Sequence, residues 1–372
     1  MKERNRDADN IRVAISHGDF NGISYEVILK TLADKRISEM CTPLVYGSSK
    51  IASYHRKTLK ISDFEINMVK RPEHIQSKKV NIYNIFQEEA HIELGVPTEQ
   101  SGKFAFIALE KAVEDLKSQK VDVLVTGPIN KKNIQREKFD FPGHTEYLAK
   151  SFNVNQVLML MVCDDLRIGT VTGHLPLSEV VEKLTINMIL DKIRILDASL
   201  KQDFSIRKPK IAVLGVNPHA GDGGLLGKEE NEIIIPAIKK AHSEGVLALG
   251  PFAADGFFGS SQFKKFDAII AMYHDQGLIP FKTLAFEGGV NYTAGLPIVR
   301  TSPAHGTAYD IAGKDSASEE SFRQALYLAC DIYKSRLEYF EINEDPLKFY
   351  LNTQEHEDDD IPDEEDSITP TY

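Results

Sequence analysis

Residues 269–300 read IIAMYHDQGLIPFKTLAFEGGVNYTAGLPIVR. The apolar run Ala268–Met272 has the length and composition of a buried strand. It ends on His274, Asp275, Gln276 and Gly277, with Lys282 eight residues beyond the histidine. A Gly-Gly pair, Asn291, a second short apolar segment and Arg300 complete the set. In open α/β folds, polar residues just past the C-terminal end of a strand line the ligand crevice. The stretch therefore predicts an α/β protein whose site offers a metal-capable imidazole, a point cation and a forked cation.

Outward from it, strand-like runs alternate with helix-like segments. Ile11–Ser16 (IRVAIS) predicts a first buried strand, then a glycine-marked turn and a helix from about Ile23. Pro43–Gly47, Val121–Val125, Val157–Val162, Leu166–Thr172 and Lys210–Gly215 predict further strands. Helices are expected over Ser48–Leu59, Gly102–Leu116, Ser178–Ile195, Lys228–Glu244 and Glu319–Tyr339. Such alternation belongs to α/β folds. Residues 60–100 show weak alternation and no chemical motif. The first turn lacks GxGxxG spacing, so no Rossmann fingerprint is present there. Asp19 in that turn reads either as ligand-facing or as a turn hydrogen-bonder. Two more strand-end segments carry polar candidates. One is Thr126–Lys131 (TGPINK). The other is Phe141–Glu146 (FPGHTE), where His144 and Thr145 open a helix whose free amides favour an anion.

With 372 residues and 42% hydrophobic content, the chain has material for a large core in two lobes. Three scattered cysteines, Cys41, Cys163 and Cys330, exclude a disulfide framework or thiolate zinc site and are expected in the core. MKERNRDADN is charged and lacks an apolar h-region, and no run approaches membrane-spanning length. Neither a signal peptide nor a membrane contact is expected, and the default location is cytoplasmic. The net charge of −11 is local: residues 341–372 carry twelve acidic residues and one lysine, leaving the rest neutral. That acidic tail is expected to be disordered. No basic patch supports a nucleic-acid role.

His174, His219 and His274 share a context, each following an expected strand in a Gly- or Pro-marked loop and none on a helix face. Two readings stay open at this point. One is a three-imidazole site with open positions, suited to Zn²⁺, Fe²⁺ or Co²⁺; the other is three unrelated loop histidines. Lys282 and Arg300, with His144, Thr145 and Asn291 as donors, match a small doubly anionic substrate held bidentately by the arginine. Solvated surface charges are the alternative for both cations.

The motifs VTGPINKKNI, FPGHTEYLA, VTGHLPL, NPHAGDGGLLGKEE, AMYHDQGLIPFK and GVNYTAGLPIVRTSPAHGTAYDIAG together resemble the 4-hydroxythreonine-4-phosphate dehydrogenase family of pyridoxal phosphate biosynthesis. The resemblance runs from about Ile11 to Tyr339. HGTAYDIAG is also similar to the cofactor loop of the isocitrate and isopropylmalate dehydrogenases. The resemblance implies a two-lobed isocitrate/isopropylmalate dehydrogenase-like α/β fold with the active-site cleft between lobes. Residues 1–145 joined by 305–340 would form one lobe. Residues 146–304, carrying the metal ligands and dimer contacts, would form the other, and 341–372 the tail.

By the same resemblance His174, His219 and His274 hold one divalent metal, zinc or else magnesium or cobalt. His144, Thr145, Lys282, Asn291 and Arg300 hold the substrate. Gly306, Thr307 and Asp310 face NAD, with NADP the alternative. A homodimer is implied, each site completed by the partner subunit. The implied reaction is oxidation of 4-phosphooxy-L-threonine followed by decarboxylation, with Lys282 the candidate proton carrier. Two alternatives are a dehydrogenase of a related phosphorylated hydroxy acid such as a threonate phosphate, and a metabolite-binding protein that keeps the fold. The first loop departs from the family pattern: SHGDFNGISYE stands where TPGEPAGIGPE is usual, which leaves room for altered substrate or cofactor preference.

Overall fold

Apolar, β-branched segments dominate the strands because helices cover both faces of the sheet. Every position of β5 (Val123–Thr126) and β10 (Ala268–Ala271) is buried, as is every position of β1 (Ile11–Ser16) but one. The other strands are β2 (Cys41–Gly47), β3 (Asn67–Val69), β4 (Asn81–Asn84), β6 (Leu158–Cys163), β7 (Leu166–Thr170), β8 (Lys210–Leu214), β9 (Leu247–Phe252), β11 (Val290–Ala294) and β12 (Val299–Pro303). The structure is a computed structural model and describes residues 10–62, 64–134, 141, 143–285 and 288–344.

The strands form one sheet in the order β3-β4-β2-β1-β5-β12-β11-β6-β7-β10-β8-β9. Its two ends are parallel blocks, β3 to β12 and β7 to β9. Antiparallel β11 and β6 join them. This is the expected two-lobed α/β architecture. The helix Glu320–Glu344 packs on β12, β5 and β11 and so spans the junction.

Several boundaries differ from expectation for physical reasons. Residues 178–195 form not one helix but two, Leu177–Lys183 and Ile186–Gln202. Thr185 caps the second by accepting from Met188 N at 3.2 Å. Lys228–Glu244 opens with a π-turn at Glu230–Ile234 before the α-helix Ile235–Ser243, whose second residue is Pro236. His274 does not lie in a loop. It is the first residue of the helix His274–Leu284, which also carries Lys282. The last helix takes in 341–344, expected to belong to the tail; residues 345–372 lie outside those described. Cys41 and Cys330 are buried in the core as expected, while Cys163 is half-buried. Among the described residues no helix is long and apolar enough to cross a membrane.

The unusual first loop turns inward. His17, Phe20 and Tyr25 are fully buried. The His17 ring packs 5.2 Å from Tyr25 and 5.7 Å from Phe86, and His55 stacks on Tyr25 at 5.1 Å. Where the sequence departs from the family pattern, these three side chains change the core and not the wall of a cleft.

Candidate active site

A cleft of about 1130 Å³ opens where the two parallel blocks meet. Gly127, Pro128, Ile129 and Lys131 reach it from the end of β5, which places the TGPINK segment at the site. His144, Thr145 and Glu146 reach it from the first turn of the helix His144–Ser151. His174 follows β7, while His274 and Lys282 come from one face of their shared helix. Asn291 comes from β11, Arg300 from β12, and His305 and Gly306 from the loop beyond.

Arg300 is the site's fixed charge. It is 2% exposed, and among the described residues no carboxylate pairs with it. Its guanidinium is instead aimed by two hydroxyls: Nη2 donates to Thr126 Oγ1 at 2.7 Å, Nε to the same oxygen at 3.2 Å, and Nη1 to Thr293 Oγ1 at 3.3 Å. Burial lowers its pKa to about 10, opposed by the charge of Glu146. A buried cation without a counter-ion is costly, and an anionic ligand removes that cost. Thr126 opens the TGPINK segment, but its role in orienting Arg300 has no local sequence signal.

Beside Arg300, His144 Nε2 and Asn291 Oδ1 are buried with no hydrogen-bond partner among the described residues. Buried polar atoms are almost always paired, so both ask for a ligand. Burial, then the charges of Arg300 and Lys131, hold the His144 pKa well below its ordinary value, so this imidazole is neutral.

The three metal candidates part company. His174 and His274 converge, with ring centroids 5.6 Å apart. Burial, then Lys131 and His274, lower the His174 pKa, which favours the neutral, ligating form. Lys131 Nζ donates to His174 Nε2 at 3.2 Å, so this nitrogen presents its lone pair to a cation. His274 Nδ1 lies 2.7 Å from Asp275 Oδ1, which leaves Nε2 free to ligate. His219 does not join them. It is exposed and absent from the cleft wall, and among the described residues no three His, Cys, Asp or Glu side chains converge as a metal set within the chain.

The reason is local backbone. His219, Ala220, Gly221, Asp222 and Gly223 all have positive φ, with His219 at 52°. Glu230 pins the base of this loop by accepting from Val216 N and Asn217 N, each at 2.8 Å. The loop thus holds His219 outward although β8, like β7, flanks β10 in parallel.

Of the expected cofactor residues, Gly306 lines the cleft, while Thr307 and Asp310 follow it in the same loop without lining it. A Cβ on Gly306 would meet open space, so the backbone there is accessible to a ligand. His305 Nε2 beside it is buried and unpartnered among the described residues. Thr307 is half-buried and Asp310 exposed. The loop rests on the first-strand turn, with Ile23 N donating to Thr307 O at 3.0 Å. Asp19, left open between two roles, bonds within the turn, accepting from Asn21 N at 2.9 Å, and also accepts from Tyr309.

Residues 39–329 match the family described as "Pyridoxal phosphate biosynthetic protein PdxA". A 4-hydroxythreonine-4-phosphate dehydrogenase of Bacteroides thetaiotaomicron is 49% identical over 358 residues, covering 93% of this chain and 98% of its own. A crystal structure of 4-hydroxythreonine-4-phosphate dehydrogenase from Klebsiella pneumoniae is 32% identical with a TM-score of 0.77, covering 87% of this chain and 99% of its own. One from Burkholderia phymatum is 34% identical with a TM-score of 0.72, over 87% and 98% of the two chains. With its cleft, its buried arginine and its paired imidazoles in place, the chain belongs to the PdxA family of pyridoxal phosphate biosynthetic proteins.

Proposed function

We propose that this chain oxidises 4-phosphooxy-L-threonine with NAD⁺ to 2-amino-3-oxo-4-phosphooxybutanoate, which loses CO₂ to give 3-amino-2-oxopropyl phosphate. The observation that carries the reading is Arg300: a buried guanidinium, paired with no carboxylate among the described residues, facing a cleft that also holds Lys282, His144 and Asn291. That set fits a phosphorylated acid. The lobes in this proposal are 1–145 joined by 305–340, and 146–304; residues of both ranges line the cleft.

In this reading Arg300 takes two oxygens of the phosphate through its planar fork. Neutral His144, Thr145 and Asn291 complete the grip, and Lys282 adds a mobile positive charge. NAD⁺, when bound, supplies the hydride acceptor, and a divalent metal supplies Lewis acidity at the reacting hydroxyl and carbonyl. His174 and His274 would hold that metal from one subunit. His219, turned outward on its pinned loop, would reach it from the second copy of a homodimer. The same loop exposes Leu225 and Leu226, and Leu175 and Leu177 beside His174 are exposed too. Apolar side chains flanking both partial sites fit a partner surface. Gly306, Thr307 and Asp310 would face NAD⁺, and Lys282 is the candidate for carrying a proton.

Purified protein offered 4-phosphooxy-L-threonine and the threonate phosphates with NAD⁺ and NADP⁺ tests the reading. NADH formation fastest with the amino acid is expected. Preference for a threonate phosphate would replace it with the other phosphorylated hydroxy-acid reading, and no turnover of any would favour a binding protein.

A further inference from the structure

The cleft is rich in positive charge, with Arg300, Lys131, Lys150, Lys192 and Lys282 on its wall. Such a wall suits a phosphate and a carboxylate but repels an ammonium group. The substrate proposed above carries all three.

Two carboxylates line the cleft among the described residues, Glu146 and Asp191. Asp191 is committed. Its Oδ1 pairs with Arg194 Nη1 at 2.9 Å, and its Oδ2 accepts from Gln156 Nε2, also at 2.9 Å. Glu146 has no hydrogen-bond or ion-pair partner among the described residues, although it is only partly exposed. It stands in the first turn of the helix His144–Ser151, directly after substrate candidates His144 and Thr145. Its Oε2 lies 3.4 Å from where a Gly143 Cβ would stand, so the carboxylate folds back over the bare backbone at the helix start. Its charge acts on Arg300 and on His174, which line the same cleft.

We propose that Glu146 receives the α-ammonium group of the substrate and sets the preference for an amino acid over the corresponding hydroxy acid. The inference rests on the phosphorylated-threonine reading and deepens it. A carboxylate with no partner among the described residues, on the same cleft wall as Arg300 and His174, is the one free counter-charge that the described wall offers to a cation. The threonate analogue places a neutral hydroxyl at that carbon and gains little from it.

The test is Glu146→Gln, assayed for kcat/KM with 4-phosphooxy-L-threonine and with a 4-phosphothreonate of matching stereochemistry. The amino acid should lose about 30- to 100-fold, the size of a charge-assisted contact. The hydroxy acid should change by less than about 3-fold, so the preference collapses. Glu146→Asp, with the charge kept on a shorter arm, should recover part of the preference, and this separates recognition from folding. Equal losses on both substrates, or an unchanged preference in Glu146→Gln, would overturn the inference while leaving the reading intact. A wild-type enzyme that turns over only the hydroxy acid would overturn both.

Discussion

Tyr309 donates its phenolic hydrogen to Asp19 Oδ2 across 2.8 Å, joining residues 290 positions apart. Ser101 Oγ donates to the same oxygen at 2.8 Å, and Asn21 N to Oδ1 at 2.9 Å. Asp19 is fully buried, so burial raises its pKa while Tyr309 and the other donors pull it back. The contact fastens the 305–313 loop to the end of β1.

If that loop faces the cofactor, loosening it should weaken NAD⁺ before anything else. Tyr309→Phe removes the donor and leaves the ring. The KM for NAD⁺ should rise about 10-fold, since a hydrogen bond to a charged group contributes about 1.5–3 kcal/mol. The KM for the phosphorylated substrate should stay within about 2-fold in the same assay. Asp19→Asn should shift the KM in the same direction, and the double variant should lose less than the product of the two single losses, because both changes disturb the Tyr309–Asp19 contact. A double variant whose losses multiply would show that the two residues act apart.

Arg300→Lys tests the substrate grip. The charge survives, but the fork that Thr126 and Thr293 aim does not. Losing a buried bidentate contact should cost about 2–4 kcal/mol in kcat/KM for the phosphorylated substrate. NAD⁺ binding, measured by fluorescence quenching or calorimetry, should hardly move. Weakened NAD⁺ binding with an unchanged substrate KM would reverse the roles of Arg300 and the 305–313 loop.

The sequence was legible where one local rule acted alone. Apolar runs such as Ile11–Ser16 became strands because both faces of the sheet are covered. His144 opens a helix as its Pro-Gly turn implies. Illegible features rest on distant partners. The helix from His274 starts without a side-chain cap from its N-cap residue. Gln276 instead bonds Met272 N at 2.7 Å and Gly215 O at 2.6 Å. That tertiary tie, with Gly277 and Pro280 blurring the helical pattern, hid it. Within 60–100, β3 is a short edge strand on the equally short β4, and the pair is tied by Asn81, which links Asn67 at 2.8 Å and Gln76 at 3.0 Å. The outward turn of His219 depends on left-handed backbone at non-glycine residues, which composition does not announce.

His17 makes stability depend on pH. Its ring is fully buried, and among the described residues neither nitrogen has a partner. Burial, then the charge of His55, lowers its pKa from 6.5 to about 3. A lowered pKa means the unfolded chain binds the proton that the folded chain refuses. Stability should therefore fall as pH drops below 6.5 and continue falling toward about 3. At pH 5.5 this residue alone should account for about 1.4 kcal/mol. His55, lowered to about 4 by burial, adds in the same direction. His17→Phe keeps a ring in the aromatic box and removes the titration. Urea unfolding at pH 7.5 and 5.5 should show a smaller loss for the variant than for the parent. An equal loss would mean that water or a conformational change relieves the buried imidazole.

The separation of His219 from His174 and His274 gives the sharpest test of a shared metal site. His174 and His274 belong to one cleft wall, and His219 points out of the same chain. If a second copy supplies His219, His174→Ala and His219→Ala should each be nearly inactive and low in bound metal when pure. Mixed and allowed to exchange subunits, they should recover activity. In a mixed dimer one cleft lacks both imidazoles, while the other has its own His174 and receives His219 from the His174→Ala subunit. Random exchange makes about half the dimers mixed, each with one intact cleft, so about one quarter of wild-type activity should return. Metal content, read by elemental analysis of the mixture, should rise in step. Mixtures of His174→Ala with His274→Ala should recover nothing, because those two imidazoles serve the same cleft. Recovery there, or none with His219→Ala once exchange is verified by mass-tagged subunits, would place all three histidines otherwise.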